Sequence, residues 1–216
     1  MIKRCGWMVG VVAVVLSALA PAYAQDVEEV VFETFEAEDE RLSLLHPENW
    51  VIEASEDGPG VVAANSEAAF DAIADTEAEY APGDVALTIL LFPTDYLPLL
   101  EIEVEEAFSA VELAEAFAEA LFVTTDEGLV APELGEAEEV EVEFEEETLV
   151  VGSVELTNAV SAGALVAFEL QEGILVIALA NTAPGEYADF APIFWRMLAS
   201  LEYAGNADDL IAQINQ

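Results

Sequence analysis

Two almost unbroken apolar runs constrain this chain more than any other feature. Val85 to Phe92 (VALTILLF) and Ile174 to Ala180 (ILVIALA) are rich in branched side chains and are bounded by Gly or Pro. Each is too short for a membrane helix, which takes about 20 apolar residues. Successive side chains of a strand point to opposite faces, so a continuous apolar run fits a strand buried on both. Such strands need cover above and below their sheet, and helices must supply part of it.

Two helices can do so. Ser109-Ala110-Val111-Glu112 reads as a capping box, in which serine accepts from an early backbone N–H and glutamate reaches back. Leu113, Phe117, Ala120 and Leu121 then mark one face at helical spacing. A second helix is expected from about Tyr187 to Tyr203, with Phe194, Met197, Leu198 and Leu201 in its apolar stripe. Pro192 is placed in its first turn, where N–H groups lack partners in any case. These stripes are core positions rather than a cofactor box.

The other elements follow from local pattern. Residues 26–40 form an acidic lead-in with room for one short strand near Val30-Val31-Phe32. Arg41 to Leu45 reads as a strand, His46-Pro47-Glu48-Asn49 as a turn, and Trp50 to Ala54 as the return strand. Glu56 to Gly60 is a second turn, Val61 to Ala64 a strand, and Ser66 to Ala74 a weak helix. Val140, Val142 and Phe144 alternate with glutamates, so that strand has one wet face. Glu141, Glu143 and Glu145 would share it at about 7 Å spacing. Leu149 to Leu156 carries Gly152, read as a bulge, and Ala164 to Leu170 turns through Gln171-Glu172-Gly173 into the Ile174 run. A short helix starts near Asn206. The expected fold is α+β: a central antiparallel β-sheet with helices packed on both faces. One domain spans 41–203, after a leader (1–24) and the acidic lead-in (25–40) and before a tail (204–216).

The leader has the grammar of a secretory signal peptide. Lys3 and Arg4 precede an apolar stretch from Gly6 to Ala20, Pro21 breaks it, and Ala22 and Ala24 form the small-x-small pattern that signal peptidase recognises. Cleavage there leaves no cysteine, hence no disulfide or thiol chemistry, and no stable membrane anchor. It also leaves Arg41 and Arg196 as the only Lys or Arg against 45 Asp and Glu. Disordered acidic chains are poor in apolar residues; this one is 55 % hydrophobic, so it folds around a core and carries its acid outside. Salt adaptation explains a lysine-free anionic shell best, since molar salt shortens the screening length to about 3 Å. An acidic habitat is the second reading and a cation-binding surface the third. No calcium-loop pattern occurs, although weak inorganic cation binding stays open.

Much chemistry lacks its residues. His46 is the only histidine, so a Ser-His-Asp triad would have to use it, and no G-x-S-x-G elbow is present. A zinc site wants several His or Cys. No phosphate-cradling glycine motif appears, and the charge repels nucleic acid and anionic membranes. We expect no catalytic, metal or cofactor residues. A carboxylate-dependent hydrolase is the alternative, because two acids suffice for glycoside hydrolysis.

The order of elements is informative as a set: a strand, His-Pro-Glu-Asn-Trp at 46–50, a long middle helix, paired strands around Gly152, a final hairpin, and a helix ending Leu198-Ala199-Ser200-Leu201. Over residues 30–203 it resembles the PsbP-like family, whose members carry an aromatic-Pro-x-x-Trp turn early and a Ser-Leu helix end late. The resemblance implies an α/β/α sandwich in an exported or lumenal protein that acts by binding. His46 stands where the aromatic is usual, and the photosynthetic members dock partly through basic residues this chain lacks, so no interaction residue carries over. The function expected is an exported, non-catalytic binding domain. Its partner would be an extracytoplasmic protein or small ligand that the sequence does not identify.

Overall fold

The two apolar runs become neighbours. In the computed structural model, which describes residues 30–55, 58–73, 79–102, 108–122, 132–145 and 147–215, β5 (Val85–Pro93) and β10 (Ile174–Thr182) pair antiparallel over their whole length, Ile174 opposite Pro93 and Thr182 opposite Val85. They sit in a sheet of order β3-β4-β5-β10-β9-β8-β6, with β7 also pairing β8. Its other strands are β3 (Val51–Ala54), β4 (Gly60–Ala64), β6 (Glu133–Leu134), β7 (Glu138–Phe144), β8 (Glu147–Thr157) and β9 (Ala162–Gln171). A second antiparallel sheet joins β1 (Phe32–Glu36), β2 (Leu42–Pro47) and β11 (Glu202–Tyr203).

Both faces of the large sheet are covered, as the runs require. α2 (Ala110–Phe122) buries Leu113 and Phe117 completely on one face, against Val154, Leu156, Leu165 and Leu175. α3 (Tyr187–Ala199) lays Phe194, Met197 and Leu198 on the other, against Val166, Phe168 and Val176. The alternation is visible within β9: Leu165 and Ala167 face α2, while Val166 and Phe168 face α3. Each fully buried side chain of this size removes about 1.5–3 kcal/mol of apolar exposure. The small sheet extends the α3 layer through Leu42 and Leu44. A short helix, α1 (Glu67–Ala72), closes the β4–β5 end through Ala69, and α4 (Ala207–Ile214) adds Leu210 to the α3-side core. The molecule is therefore α+β, with helices on both faces of an antiparallel sheet.

The helix starts are built as their sequences indicate. The Ser109 N–H donates to Glu112 Oε2 at 2.8 Å, and the Glu112 N–H donates to Ser109 Oγ at 3.2 Å. Asn206 and Asp209 make the same reciprocal pair at α4.

Several local expectations change. Val51–Ala54 is not the return partner of β2; it pairs β4, while β2 pairs β1, so the chain crosses between sheets at residues 48–50. His46 and Pro47 belong to β2 itself, opposite Glu33 and Phe32, and the turn begins at Glu48. Proline is tolerated there because, among the described residues, β11 pairs only the Leu42–Ser43 end of β2. α3 stops at Ala199, because the Ser200 hydroxyl donates to the Met197 carbonyl and accepts from the Leu45 N–H, turning residues 202–203 into a strand. Pro192 lies beyond the first turn, the sixth residue of α3. The segment after β5 forms a 3-10 helix, Thr94–Leu100, for which the sequence carries no clear signal.

Gly152 is no bulge. Its register runs unbroken, opposite Glu139 on one side and Ala167 on the other. A β-carbon there would lie 1.9 Å from the Ala110 carbonyl oxygen. The glycine lets the first turn of α2 rest directly on the sheet backbone.

A candidate binding groove beside strand β7

A hollow of about 510 Å³ lies between β7 and α3. One wall is the consecutive run 140–145; the other holds Leu45 of β2 and Pro192, Trp195 and Arg196 of α3. A hollow above a sheet face would be lined by alternate residues of a strand. Consecutive residues mean that the groove runs along the strand's edge. β7 is at an edge: among the described residues its only ladder is with β8.

The side chains set the chemistry. Val142 is buried and Val140 and Phe144 are half-buried, all on the α3 side, while Glu139, Glu141 and Glu143 are exposed. The strand ends at Phe144, and Glu145 adopts φ 54° in the turn that follows. Glu145 therefore leaves the wet face assigned to it from its spacing, and Glu139 takes that place with Glu141 and Glu143. Among the described residues no basic group lies within ion-pair distance of Glu141, Glu143 or Glu145.

The two arginines expected to survive cleavage are used differently. Arg41 reaches Asp39 at 3.9 Å and Asp209 at 3.8 Å, tying α4 to the small sheet through exposed pairs worth about 0–1 kcal/mol. Arg196 lines the groove, with its Cζ 4.2 Å from the centre of the Phe32 ring. That cation–π contact contributes about 0.5–2 kcal/mol. Its Nε is buried, with no hydrogen-bond partner among the described residues. It also sits in the last turn of α3, where positive charge is favoured by the helix dipole.

His46, the only histidine, is outside the groove. It is buried, with Nδ1 3.0 Å from the Pro47 carbonyl and Nε2 3.6 Å from Glu33 Oε1 across the β1–β2 pair. Its neighbours are those of a packed strand residue. Ala22 and Ala24 lie outside the described residues.

No family model matches this chain, and no curated protein does. Solved structures do. The chain is similar to cyanobacterial PsbP from Synechocystis sp. PCC 6803, at 15% identity over 83% of this chain and 96% of that one, with a TM-score of 0.47. It is also similar to the Saccharomyces cerevisiae Ran-binding protein Mog1p, at 14% identity over 81% of this chain and 96% of that one, again with a TM-score of 0.47.

Among the described residues, three ionisable groups are shifted from their ordinary values, all outside the groove. Burial, then the charge of Asp84, pushes Tyr80 up to about 12. Burial raises Tyr203, partly offset by Arg41. Glu112 is held below the usual carboxylate range, first by the Ser109 backbone N–H and then by the Ser109 hydroxyl. Among the described residues, no set of three or more His, Cys, Asp or Glu side chains is placed to hold a metal ion, and no helix is long and apolar enough to cross a membrane.

In the sequence Arg196 stands out only as one of two cations left after cleavage, and Trp195 not at all. The signal it had was the alternation of Val140, Val142 and Phe144 with glutamates. That pattern announces an edge or a wet face, and says nothing about which helix stands beside it.

Proposed function

We propose that this chain is an exported, non-catalytic binding domain whose ligand seats in the groove between β7 and α3. One observation carries the reading: an apolar hollow, walled by Trp195, Pro192 and the inner side of β7, opens beside carboxylates that have no described basic partner. Ligand sites are concave and mostly apolar, with a few polar groups fixing orientation. The non-catalytic part draws support from burial. Among the described residues the buried polar side chains are His46, Ser153 and Thr182, so no described Asp or Glu has the enclosure that lifts a general acid's pKa. Export rests on the leader, and the acidic shell on adaptation to salt.

Two experiments test these halves. Intact mass of protein recovered outside the cell should correspond to a chain beginning at Gln25; an uncleaved cytosolic chain contradicts export. Titration with phenylpropylammonium, a probe with an apolar body and one cation, should change Trp195 emission saturably, and Trp195→Phe should remove that signal. Emission that stays flat up to the probe's solubility limit contradicts the groove.

A further inference from the structure

We propose that the free edge of β7 is a strand-addition site for an extended peptide in which apolar and Lys or Arg residues alternate. This rests on the groove reading and specifies its occupant.

The argument begins with the backbone. In an antiparallel ladder alternate residues of an edge strand direct their N–H and C=O away from the partner. Among the described residues those outward groups of β7 meet no other backbone or side-chain hydrogen-bond partner. The groove lies along this edge, since 140 through 145 line it without a gap. β7 has seven residues, about 24 Å of strand. An added strand satisfies the outward groups, which is the source of affinity when peptides extend a sheet.

The pleat then dictates the guest's sequence. Guest side chains in phase with Val140, Val142 and Phe144 fall on the α3 side, toward Trp195, Pro192 and Leu45. Apolar residues suit that side. Guest side chains in the other phase lie beside Glu139, Glu141 and Glu143, where opposite charges across a strand pair are favourable and like charges are not. The same rule disfavours a second copy of this chain, whose β7 would bring its own glutamates. Arg196 does not cancel the acidic wall, as it pairs with no described carboxylate.

The test uses the mature chain and four synthetic seven-residue peptides at about 0.5 M sodium chloride, which screens non-specific attraction. One alternates valine and lysine. The second has the same composition in two blocks. The third alternates valine and glutamate. The fourth is the first with alternate backbone nitrogens methylated in either register, which removes the donors an added strand needs. Fluorescence anisotropy reads the dissociation constants. The alternating cationic peptide should bind at least about tenfold more tightly than the other three. E141K/E143K should weaken it about tenfold and improve the valine–glutamate peptide. Equal affinity for the block and methylated forms overturns strand addition. If Trp195→Ala then weakens every cationic peptide, the groove reading survives without it; if Trp195→Ala changes none, both fall. A peptide-free dimer that excludes the guest, seen by sedimentation, also overturns the proposal.

Discussion

β10 and β7 belong to one sheet and meet opposite fates. β10 lies between β5 and β9 with helices over both faces, and Ile174, Leu175, Val176 and Ala178 are buried. Among the described residues β7 has one partner; it buries Val142 and shows solvent a row of glutamates. The backbone is the same in kind, so the difference lies in cover. A strand covered on every side must be apolar wherever no hydrogen-bond partner is at hand; the buried Thr182 hydroxyl at the end of β10 has two carbonyls to donate to. A strand with a free edge must carry something that stops unwanted pairing, and charge does this while leaving the edge available to a complementary guest.

The largest contrast should be in stability. Phe168→Ala, on the α3 face of β9 beside β10, should cost about 3–5 kcal/mol in urea unfolding, since the cavity has packed walls on all sides. Glu141→Thr on β7 should change stability by less than about 0.5 kcal/mol. Similar losses at both positions would break the comparison. Next is Gly152→Ala. Its new methyl meets the Ala110 backbone rather than a side chain that can swing away, so overpacking should cost about 1–3 kcal/mol and displace α2.

The legible parts of the fold were those with local signatures. The apolar runs announced themselves as two-faced strands, and Ser109 and Glu112 marked the start of α2. What was not legible depended on distant contacts. Nothing in residues 41–54 says that β2 will be captured by Phe32–Glu36 and β3 by Gly60–Ala64; adjacency in sequence suggested a hairpin that the structure lacks. The apolar pattern carried on through Leu201 and Tyr203, and only the bond from the Leu45 N–H to Ser200 shows why the helix ends early. At Gly152 a bulge and a close backbone approach look identical in sequence. The groove suffers most from this, because it needs β7, α3 and β2 side by side. Its acidic side could be read; its aromatic wall could not.

Smaller effects sharpen the contrast through charge. Ser109→Ala should destabilise α2 at neutral pH. The Glu112 carboxyl lies below its ordinary pKa in the folded state, so its stabilising contribution is present above that ordinary value and disappears as pH falls through the lowered one. The gap between variant and parent melting temperatures should therefore narrow in acid; a gap independent of pH would count against the reciprocal bond. Smallest of all, E141Q/E143Q should stabilise the chain slightly, by no more than about 0.5 kcal/mol in dilute buffer, and by nothing measurable near 1 M salt. The parent's melting temperature should rise over the same salt range, and a flat profile would remove the case for a repulsive shell.

Amide hydrogen exchange of the free chain is the sharpest examination of the edge. Along 138–144 fast and slow amides should alternate, the slow ones bonded to β8 and the fast ones facing the groove, while 175–181 exchanges only through global unfolding. Uniform slow exchange along β7, equal to that of β10, would mean that the edge is already covered and has no room for a guest.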